Sequence, residues 1–182
     1  MVEVAIFSHL FFYEKGDVEM VFIDELKKIK ENNSSNIAIL IDMDGVVADY
    51  RFGEGKNIEN NVPGTYLNKR PINTSINILK EVNNNFDFDM YILSSCRYNE
   101  QAIEKSKWLE KYMSFIYKQN QLFVVSNTFE DRKMLKINKI KELLNKKYDK
   151  IIIIDDTHDI LFLAIKELGD KVIPYHVITL FD

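Results

Sequence analysis

The sequence predicts an α/β fold built on a mostly parallel sheet. Short continuous apolar runs, such as 37–41 and 151–154, alternate along the chain with longer segments whose apolar residues recur every three or four positions. The first pattern is typical of strands buried on both faces, and the second is typical of amphipathic helices. Strands separated by helices are joined by crossovers that leave the strands parallel.

Composition limits the size and class of the protein. The chain has 182 residues, of which 46% are hydrophobic, so it suits one domain with a sizeable buried core. Its net charge of −4 offers no general basic surface for tight binding to long nucleic acid. The single cysteine, Cys96, excludes an internal disulfide and suits a reducing compartment. There is no basic leader, and the apolar stretch at 4–13 is too short to cross a bilayer, so we expect a cytoplasmic protein that does not bind membranes.

The first 35 residues are predicted to form an appendage to the main domain. β-forming residues dominate 2–13, which predicts a strand or strand pair, and apolar positions among charges predict a helix over 18–31. The polar run at 32–36 has the composition of a linker. We therefore predict a boundary between an appendage, 1–35, and a main domain, 36–182. The appendage carries no motif. Three roles are open for it: adding a strand, packing on the core, or forming a homodimer.

The main domain is predicted to contain five strands and four helices. The predicted strands are 37–41, 90–93, 122–125, 151–154 and 172–179. The predicted helices are one that begins near Pro71 and three others at 100–116, 131–146 and 159–168. Pro174 lacks the N–H that a central strand needs, so the last strand is expected at a sheet edge. Residues 49–70 hold glycines, asparagines and a proline without a clear period, and they are predicted to be a loop.

Acidic and hydroxyl side chains follow three of the predicted strands. They are Asp42 and Asp44, Ser94 and Ser95, and Asp155 and Asp156. Because ligands bind beyond the carboxyl ends of parallel strands, at a topological switch point, we expect these side chains to meet there. Four carboxylates so close together repel one another, and a bound cation relieves the repulsion. Hard oxygen ligands with no His or Cys nearby favour Mg²⁺.

The spacing of Asp42 and Asp44 has a chemical interpretation. Residues two apart in an extended segment point the same way, so both carboxylates can face one pocket. One carboxylate can attack phosphorus and form an aspartyl-phosphate. The other can protonate the leaving oxygen and later accept a proton from water. Gly45 permits the tight turn that follows, and a nearby lysine would balance the charge of the transferring group.

These motifs resemble those of the haloacid dehalogenase (HAD) superfamily of phosphohydrolases over residues 36–182. The resemblance rests on Asp42-Met43-Asp44-Gly45-Val46 after a buried strand, a strand that ends at Ser94, a lysine near a helix start, and a strand that ends at 155–156. It implies a phosphatase with a three-layer α/β/α Rossmann-like core, a mostly parallel sheet and only a short cap loop at 49–70.

The resemblance also implies roles for the acidic residues. Asp42 is the nucleophile and a ligand of Mg²⁺. Asp44 is the general acid and base, and its main-chain carbonyl contacts the metal. Asp156 contacts Mg²⁺ directly. Asp155 lies beside Asp156 or contacts the groups that bind the metal.

Ser94, with Ser95 next to it, is expected to bind the substrate phosphate together with a lysine. Lys133 and Lys136 both lie near the start of the helix that precedes the fourth strand, and they are rivals for that role. The spacing from Lys136 to the acidic pair is similar to that in phosphatase domains of phage-type polynucleotide kinases, whereas Lys133 is nearer the helix start. Lys105 lies in a segment similar to one in 5′(3′)-deoxyribonucleotidases, in which a lysine approaches the phosphate.

Two branches of the superfamily are open for the substrate. Segment 105–112 is similar to a segment of the 5′(3′)-deoxyribonucleotidase branch. The Trp-Leu pair at 108–109 is similar to one in the polynucleotide 3′-phosphatase branch, in which a helix that carries a lysine and then an Asp-Asp pair follow along the chain. We expect hydrolysis of a small phosphorylated substrate, a nucleotide or a nucleic-acid 3′ end. A non-catalytic phosphate-sensing module is the alternative, and the presence of both Asp42 and Asp44 counts against it.

Overall fold

A computed structural model of the protein describes residues 21–32, 36–52 and 64–182. The predicted strand at 2–13 lies outside the described residues. The helix predicted over 18–31 is described as Val21–Asn32, here α1. Its Phe22 and Leu26 are buried in the main hydrophobic core, and the Val21 N–H donates to the carbonyl of Asp182 at 3.0 Å.

The described strands and helices follow the predicted alternation. The strands are β1 (Ile37–Ile41), β2 (Ala48–Phe52), β3 (Lys69–Pro71), β4 (Asp89–Cys96), β5 (Gln121–Val125), β6 (Lys150–Asp155) and β7 (Val172–His176). The helices after α1 are α2 (Asn73–Asn85), α3 (Asn99–Tyr112), α4 (Phe129–Lys146) and α5 (His158–Leu168). Among these described helices, none combines the length and the apolar character that crossing a membrane requires.

Five of the strands form one parallel sheet in the order β5-β4-β1-β6-β7. The predicted α/β fold with a mostly parallel sheet is therefore confirmed. β1 lies at the centre, and the chain adds β4 and β5 on one side before it adds β6 and β7 on the other. The strand with Pro174 lies at an edge of this sheet, as its missing N–H predicts.

The sheet is covered on both faces, because alternate residues of each central strand point to opposite sides. Ile39 of β1 and Ile152 of β6 belong to a core that also receives side chains from α1, α2 and α3. Leu40 and Ile153, one residue further along, belong to a second core with side chains from α4 and α5. The result is three layers, with β1 and β6 buried on both faces.

The prediction of a loop over 49–70 is wrong at its two ends. β2 and β3 pair antiparallel as a separate two-stranded sheet, with Ala48 opposite Pro71 and Phe52 opposite Lys69, and a 3₁₀ turn covers Tyr66–Asn68. Strands of five and three residues are too short to display a period. Residues 53–63 of the predicted loop lie outside the described residues.

Two predicted strand ends also differ from the structure. The strand predicted at 90–93 continues to Cys96, so Ser94 and Ser95 lie inside β4 and pair with Phe123 and Val124 of β5. The strand predicted at 172–179 ends at His176, where a 3₁₀ helix, Val177–Phe181, begins. In both cases the observed end coincides with the last paired residue of the neighbouring strand, Val125 of β5 and Asp155 of β6.

Candidate active site

The site lies beyond the carboxyl ends of β1, β4 and β6, where the order of strands reverses along the chain. Asp42 follows β1 directly, and its N–H donates to the carbonyl of Ile154 on β6 at 2.8 Å. Asp155 is the last residue of β6. This hydrogen bond continues the pairing of β1 and β6, and it brings two acidic segments together that are more than a hundred residues apart.

Three carboxylates form a compact acidic cluster. Asp42, Asp155 and Asp156 each offer an oxygen atom, and these atoms all lie within 4.8 Å of one another. Burial raises the pKa of Asp42, Lys136 opposes that shift, and the charges of Asp155 and Asp44 raise the pKa further. Hard oxygen donors that are mostly buried and mutually repulsive fit a divalent cation.

Lys136 lies between two carboxylates of this cluster. Its Nζ is 2.9 Å from Oδ1 of Asp42 and 2.8 Å from Oδ2 of Asp155. Lys133, the rival candidate, contacts Glu130 at 2.9 Å and Asp159 at 3.4 Å on the helix surface. Of these two lysines, the structure therefore brings only Lys136 to the cluster.

Asp44 is held by two buried lysines, and it is not one of the three clustered carboxylates. Lys105 Nζ donates to its Oδ2 at 2.5 Å, and Lys69 Nζ donates to its Oδ1. Lys105 also donates to Ser94 Oγ at 2.9 Å and to the carbonyl of Ser95 at 2.8 Å. Lys105 and Ser94, both predicted to contact phosphate, are thus fully buried behind Asp44, whereas Ser95 lines the pocket.

The two lysines determine the charge of Asp44. Burial alone would raise the pKa of its carboxyl, but Lys105 and Lys69 outweigh burial and hold the pKa below its usual value. Asp44 is therefore ionised at neutral pH in the structure as it stands. Lys69 comes from β3 and was not among the residues that the sequence indicated. In the sequence, Lys69 is only a basic residue in a segment that has no hydrophobic periodicity.

Asp156 is held in place by the next residue in the chain and by residues from two other strands, β2 and β7. Tyr50, on β2, donates its hydroxyl to Oδ2 of Asp156 at 2.9 Å. Thr157 Oγ1 donates to Oδ1 at 3.3 Å, and Nε2 of His176 lies 3.0 Å from the Asp156 carbonyl. Gly45 has φ +79°, and a Cβ atom built there would lie 2.2 Å from Oδ2 of Asp156. A glycine is therefore required at position 45 both for backbone conformation and for the close approach of this carboxylate. Tyr50 is a second site residue that the sequence did not indicate.

A pocket of about 160 Å³ opens over these groups. Its floor includes Asp42, Asp44, Ser95 and Lys136. The other side chains that line it are Tyr50, Tyr66, Arg97, Gln101, Phe129, Arg132, Thr157 and Ile160. The pocket thus combines an acidic centre with two arginines and three aromatic rings.

Cys96 and Trp108 are both buried. Burial raises the pKa of the Cys96 thiol to about 11, which leaves it protonated and poorly nucleophilic. Trp108 Nε1 donates to the carbonyl of Lys69 at 2.9 Å. The tryptophan thereby fixes the strand that carries Lys69 to Asp44.

No protein-family model matches the sequence, and no curated protein matches it. Solved structures do match the fold. A chain of the Pnkp1/Rnl/Hen1 complex is 17% identical to this chain, with a TM-score of 0.56. The match covers 79% of this chain and 47% of that one, so this chain spans about half of that neighbour's length. The class C acid phosphatase of Bacillus anthracis is 16% identical with a TM-score of 0.56, covering 88% of this chain and 78% of that one. Its tungstate-bound structure is 17% identical with a TM-score of 0.58, covering 85% and 72%.

These likenesses confirm the Rossmann-like α/β fold with a mostly parallel sheet. They are too distant in sequence to carry function from one chain to the other. The roles of the individual site residues therefore rest on the geometry described above and remain predictions.

Proposed function

We propose that the protein is a Mg²⁺-dependent phosphomonoester hydrolase that works through an aspartyl-phosphate at Asp42, with nucleotides as its substrates. One observation carries the proposal. The Asp42 carboxylate lies at the floor of an open pocket, 2.9 Å from a buried lysine and within reach of two further carboxylates.

The acidic cluster would hold the metal through Asp42, Asp155 and Asp156. When bound, Mg²⁺ supplies positive charge that offsets the carboxylates and stabilises negative charge on the transferring phosphoryl group. The chain itself supports such a site through Gly45, which leaves room for Asp156, and through Tyr50, which orients that carboxylate.

In the first half-reaction a carboxylate oxygen of Asp42 attacks phosphorus, and the bond from phosphorus to the leaving oxygen breaks. The leaving oxygen takes a proton from Asp44. Lys136, beside the attacking carboxylate, balances the charge that spreads over the phosphoryl oxygens. Ser95, which lines the pocket, orients the phosphate.

In the second half-reaction a water molecule attacks the phosphorus of the aspartyl-phosphate. Asp44 accepts a proton from that water, inorganic phosphate leaves, and Asp42 is regenerated. Because Lys69 and Lys105 keep Asp44 ionised before substrate binds, it must gain its proton once the phosphate arrives. A phosphate dianion beside Asp44 favours that protonation, since like charges raise a carboxyl pKa.

Nucleotides are proposed because of the similarity of segment 105–112 to the deoxyribonucleotidase branch and because aromatic rings border the pocket. Tyr50 and Phe129 both line the pocket, and they are 55% and 45% exposed. Aromatic rings at the mouth of a phosphate site suit a planar base.

The test is hydrolysis of thymidine 5′-monophosphate, thymidine 3′-monophosphate, p-nitrophenyl phosphate and glucose 6-phosphate, each with Mg²⁺ and with a chelator. We expect phosphate release that requires the metal, is fastest with a nucleotide and is abolished by Asp42→Asn. Turnover that survives Asp42→Asn would reject Asp42 as the nucleophile. No release from any of the four esters would favour the phosphate-sensing alternative.

A further inference from the structure

The two edges of the parallel sheet differ in how they are protected from pairing with another chain. At one edge β7 contains Pro174, and a proline on an edge strand discourages such pairing. At the other edge β5 has the sequence Gln-Leu-Phe-Val-Val, which contains no proline, glycine or charged residue. Its last residue, Val125, is 36% exposed. β5 therefore lacks the residues that commonly protect an edge strand.

The outer side of β5 presents the backbone groups of Phe123 and Val125. The Ser126 N–H donates to the Cys96 carbonyl at 3.0 Å, so it points toward β4. Because backbone groups alternate in direction along a strand, the N–H of Val124 also points toward β4, and those of Phe123 and Val125 point away from it. No strand in the described part of the chain pairs with this outer side.

An apolar groove lies beside this edge, between α3 and β5. Its volume is about 400 Å³, and the apolar residues that line it are Ala102, Ile103 and Phe123. Ile103 is 56% exposed. A strand that pairs with β5 would therefore gain backbone hydrogen bonds from the edge and apolar contacts from the groove.

The charges around the groove suit contact between two copies of this chain. Two lysines and one glutamate line it, Lys107, Lys118 and Glu110, which gives a local charge of +1 against −4 for the whole chain. A contact through this region keeps the acidic surfaces of two copies apart. It also lets the glutamate of each copy approach a lysine of the other, which is the complementarity that a symmetric interface requires.

A second copy also matches β5 in hydrogen bonding. A two-fold axis beside Val124 would place the two β5 strands antiparallel, with Phe123 of each copy opposite Val125 of the other. Residues opposite each other in this way exchange both of their N–H···O bonds. Their side chains form aromatic and β-branched pairs across the two strands, which stabilise antiparallel pairing.

We infer that the protein forms a homodimer in which the outer edges of two β5 strands pair antiparallel and join the two five-stranded sheets into one continuous sheet. The dimer does not depend on the proposed reaction, and it would stand even if the chain hydrolyses no phosphate ester.

Sedimentation equilibrium of the full chain over roughly 1–100 μM measures the association. We expect the mean mass to rise from near 21.4 kDa, the mass of one chain, toward twice that value as the concentration increases. Hydrogen–deuterium exchange at both ends of this range locates the contact. The amides of Phe123 and Val125 should exchange about tenfold more slowly at the high concentration, because pairing protects them from water.

Val125→Lys tests the surface, since a lysine is one of the residues that protect natural edge strands. We expect the Kd of the dimer to rise by about tenfold or more, while circular dichroism shows the same folded chain. Ile178→Lys is the matched control, because Ile178 is 62% exposed but follows β7 at the opposite edge. It should leave the Kd within about twofold of its starting value.

A chain that stays monomeric at every concentration would overturn the inference. Slow exchange of the Phe123 and Val125 amides in that monomer would mean that another part of the same chain covers the edge, and rapid exchange would leave the edge open to a different protein. A dimer that Val125→Lys leaves intact would also overturn the inference, because the copies would then meet through another surface. If Val125→Lys does not fold, exchange in the unmodified dimer decides, and equal rates at both concentrations would reject pairing through β5.

Discussion

Lys136 Nζ lies 2.9 Å from Oδ1 of Asp42, and both side chains are almost completely buried. Burial alone would lower the pKa of Lys136, but Asp42 and Asp155 outweigh burial and raise it, so the lysine is charged at neutral pH. Replacing Lys136 by Met should therefore reduce kcat by on the order of 100- to 1000-fold, the usual effect of losing one group that stabilises transition-state charge. Steady-state hydrolysis of p-nitrophenyl phosphate measures this effect.

Lys133→Met is the matched comparison, because Lys133 lies on the same helix and contacts Glu130 and Asp159 instead of the acidic cluster. We expect its effect on kcat to be at least about tenfold smaller than that of Lys136→Met, since exposed ion pairs contribute little. Equal losses in the two variants would contradict the assignment of Lys136.

Asp44→Asn is expected to destabilise the fold as well as remove the proton donor. The substitution leaves Lys69 and Lys105 buried without the carboxylate that both contact. Removing one member of a buried ion pair costs about 3–5 kcal/mol of the free energy of unfolding. Urea unfolding of the two proteins measures the difference.

The double variant Asp44→Asn with Lys69→Met tests the physical reason for that loss. It removes one of the two buried lysines that lose the Asp44 carboxylate, so it should be more stable than Asp44→Asn alone by about 1 kcal/mol or more. A double variant that loses the sum of both single losses would show that Lys69 and Asp44 are not coupled.

Tyr50→Phe removes the hydroxyl that donates to Asp156 at 2.9 Å. Partners that orient metal ligands typically contribute 10- to 100-fold to metal affinity, so the Mg²⁺ concentration for half-maximal activity should rise by about tenfold or more. Tyr117→Phe is the control, because Tyr117 is 69% exposed and does not line the pocket. A lower Mg²⁺ requirement in Tyr50→Phe would mean that the hydroxyl competes with the metal for Asp156.

Gly45→Ala should displace Asp156, because the new Cβ atom would lie 2.2 Å from its Oδ2. We expect loss of about 1–3 kcal/mol of stability from the left-handed backbone, together with a large fall in kcat. Gly169→Ala separates the two effects, since Gly169 also has positive φ but its Cβ would meet nothing within 4 Å. Gly169→Ala should lose stability without a matching loss of activity. Differential scanning calorimetry measures the stability, and the rate of turnover measures the activity.

Mg²⁺ should stabilise the folded protein, because only the native fold assembles Asp42, Asp155 and Asp156. At a concentration 100 times the dissociation constant, a ligand of the native state adds about 2.7 kcal/mol to the free energy of unfolding. We expect Tm to rise on addition of Mg²⁺, to return to its starting value with a chelator, and to respond little in Asp156→Asn. A Tm that Mg²⁺ leaves unchanged would argue against the metal site.

The site residues that the sequence correctly predicted to lie close together are those at strand ends. Asp42 and the pair Asp155 and Asp156 follow buried apolar runs, and a parallel sheet brings such positions to one edge whatever the details of packing. Local patterns therefore sufficed to predict that these carboxylates meet. The same reasoning predicted the edge position of β7, because a missing N–H at Pro174 is a property of the residue itself.

Tyr50 and Lys69 were missed because they reach the site on the β2–β3 hairpin. Neither strand of that hairpin has a pattern of its own, and its position depends on contacts such as the Trp108 hydrogen bond to the Lys69 carbonyl. Such contacts leave no periodic signal in either strand, since they depend on residues such as Trp108 that lie in another part of the chain.

The choice between Lys133 and Lys136 is the clearest case of a question that local sequence pattern cannot answer. The two positions are only about 60° apart around an α-helix, so local periodicity cannot separate them. By itself the sequence determined the α/β alternation and the acidic residues at the strand ends, because these depend on hydrophobic patterning and on the chemistry of single residues. Tertiary structure alone decided which lysine joins Asp42 and which cations enclose Asp44, because burial of a charge depends on how a helix or hairpin packs against the sheet.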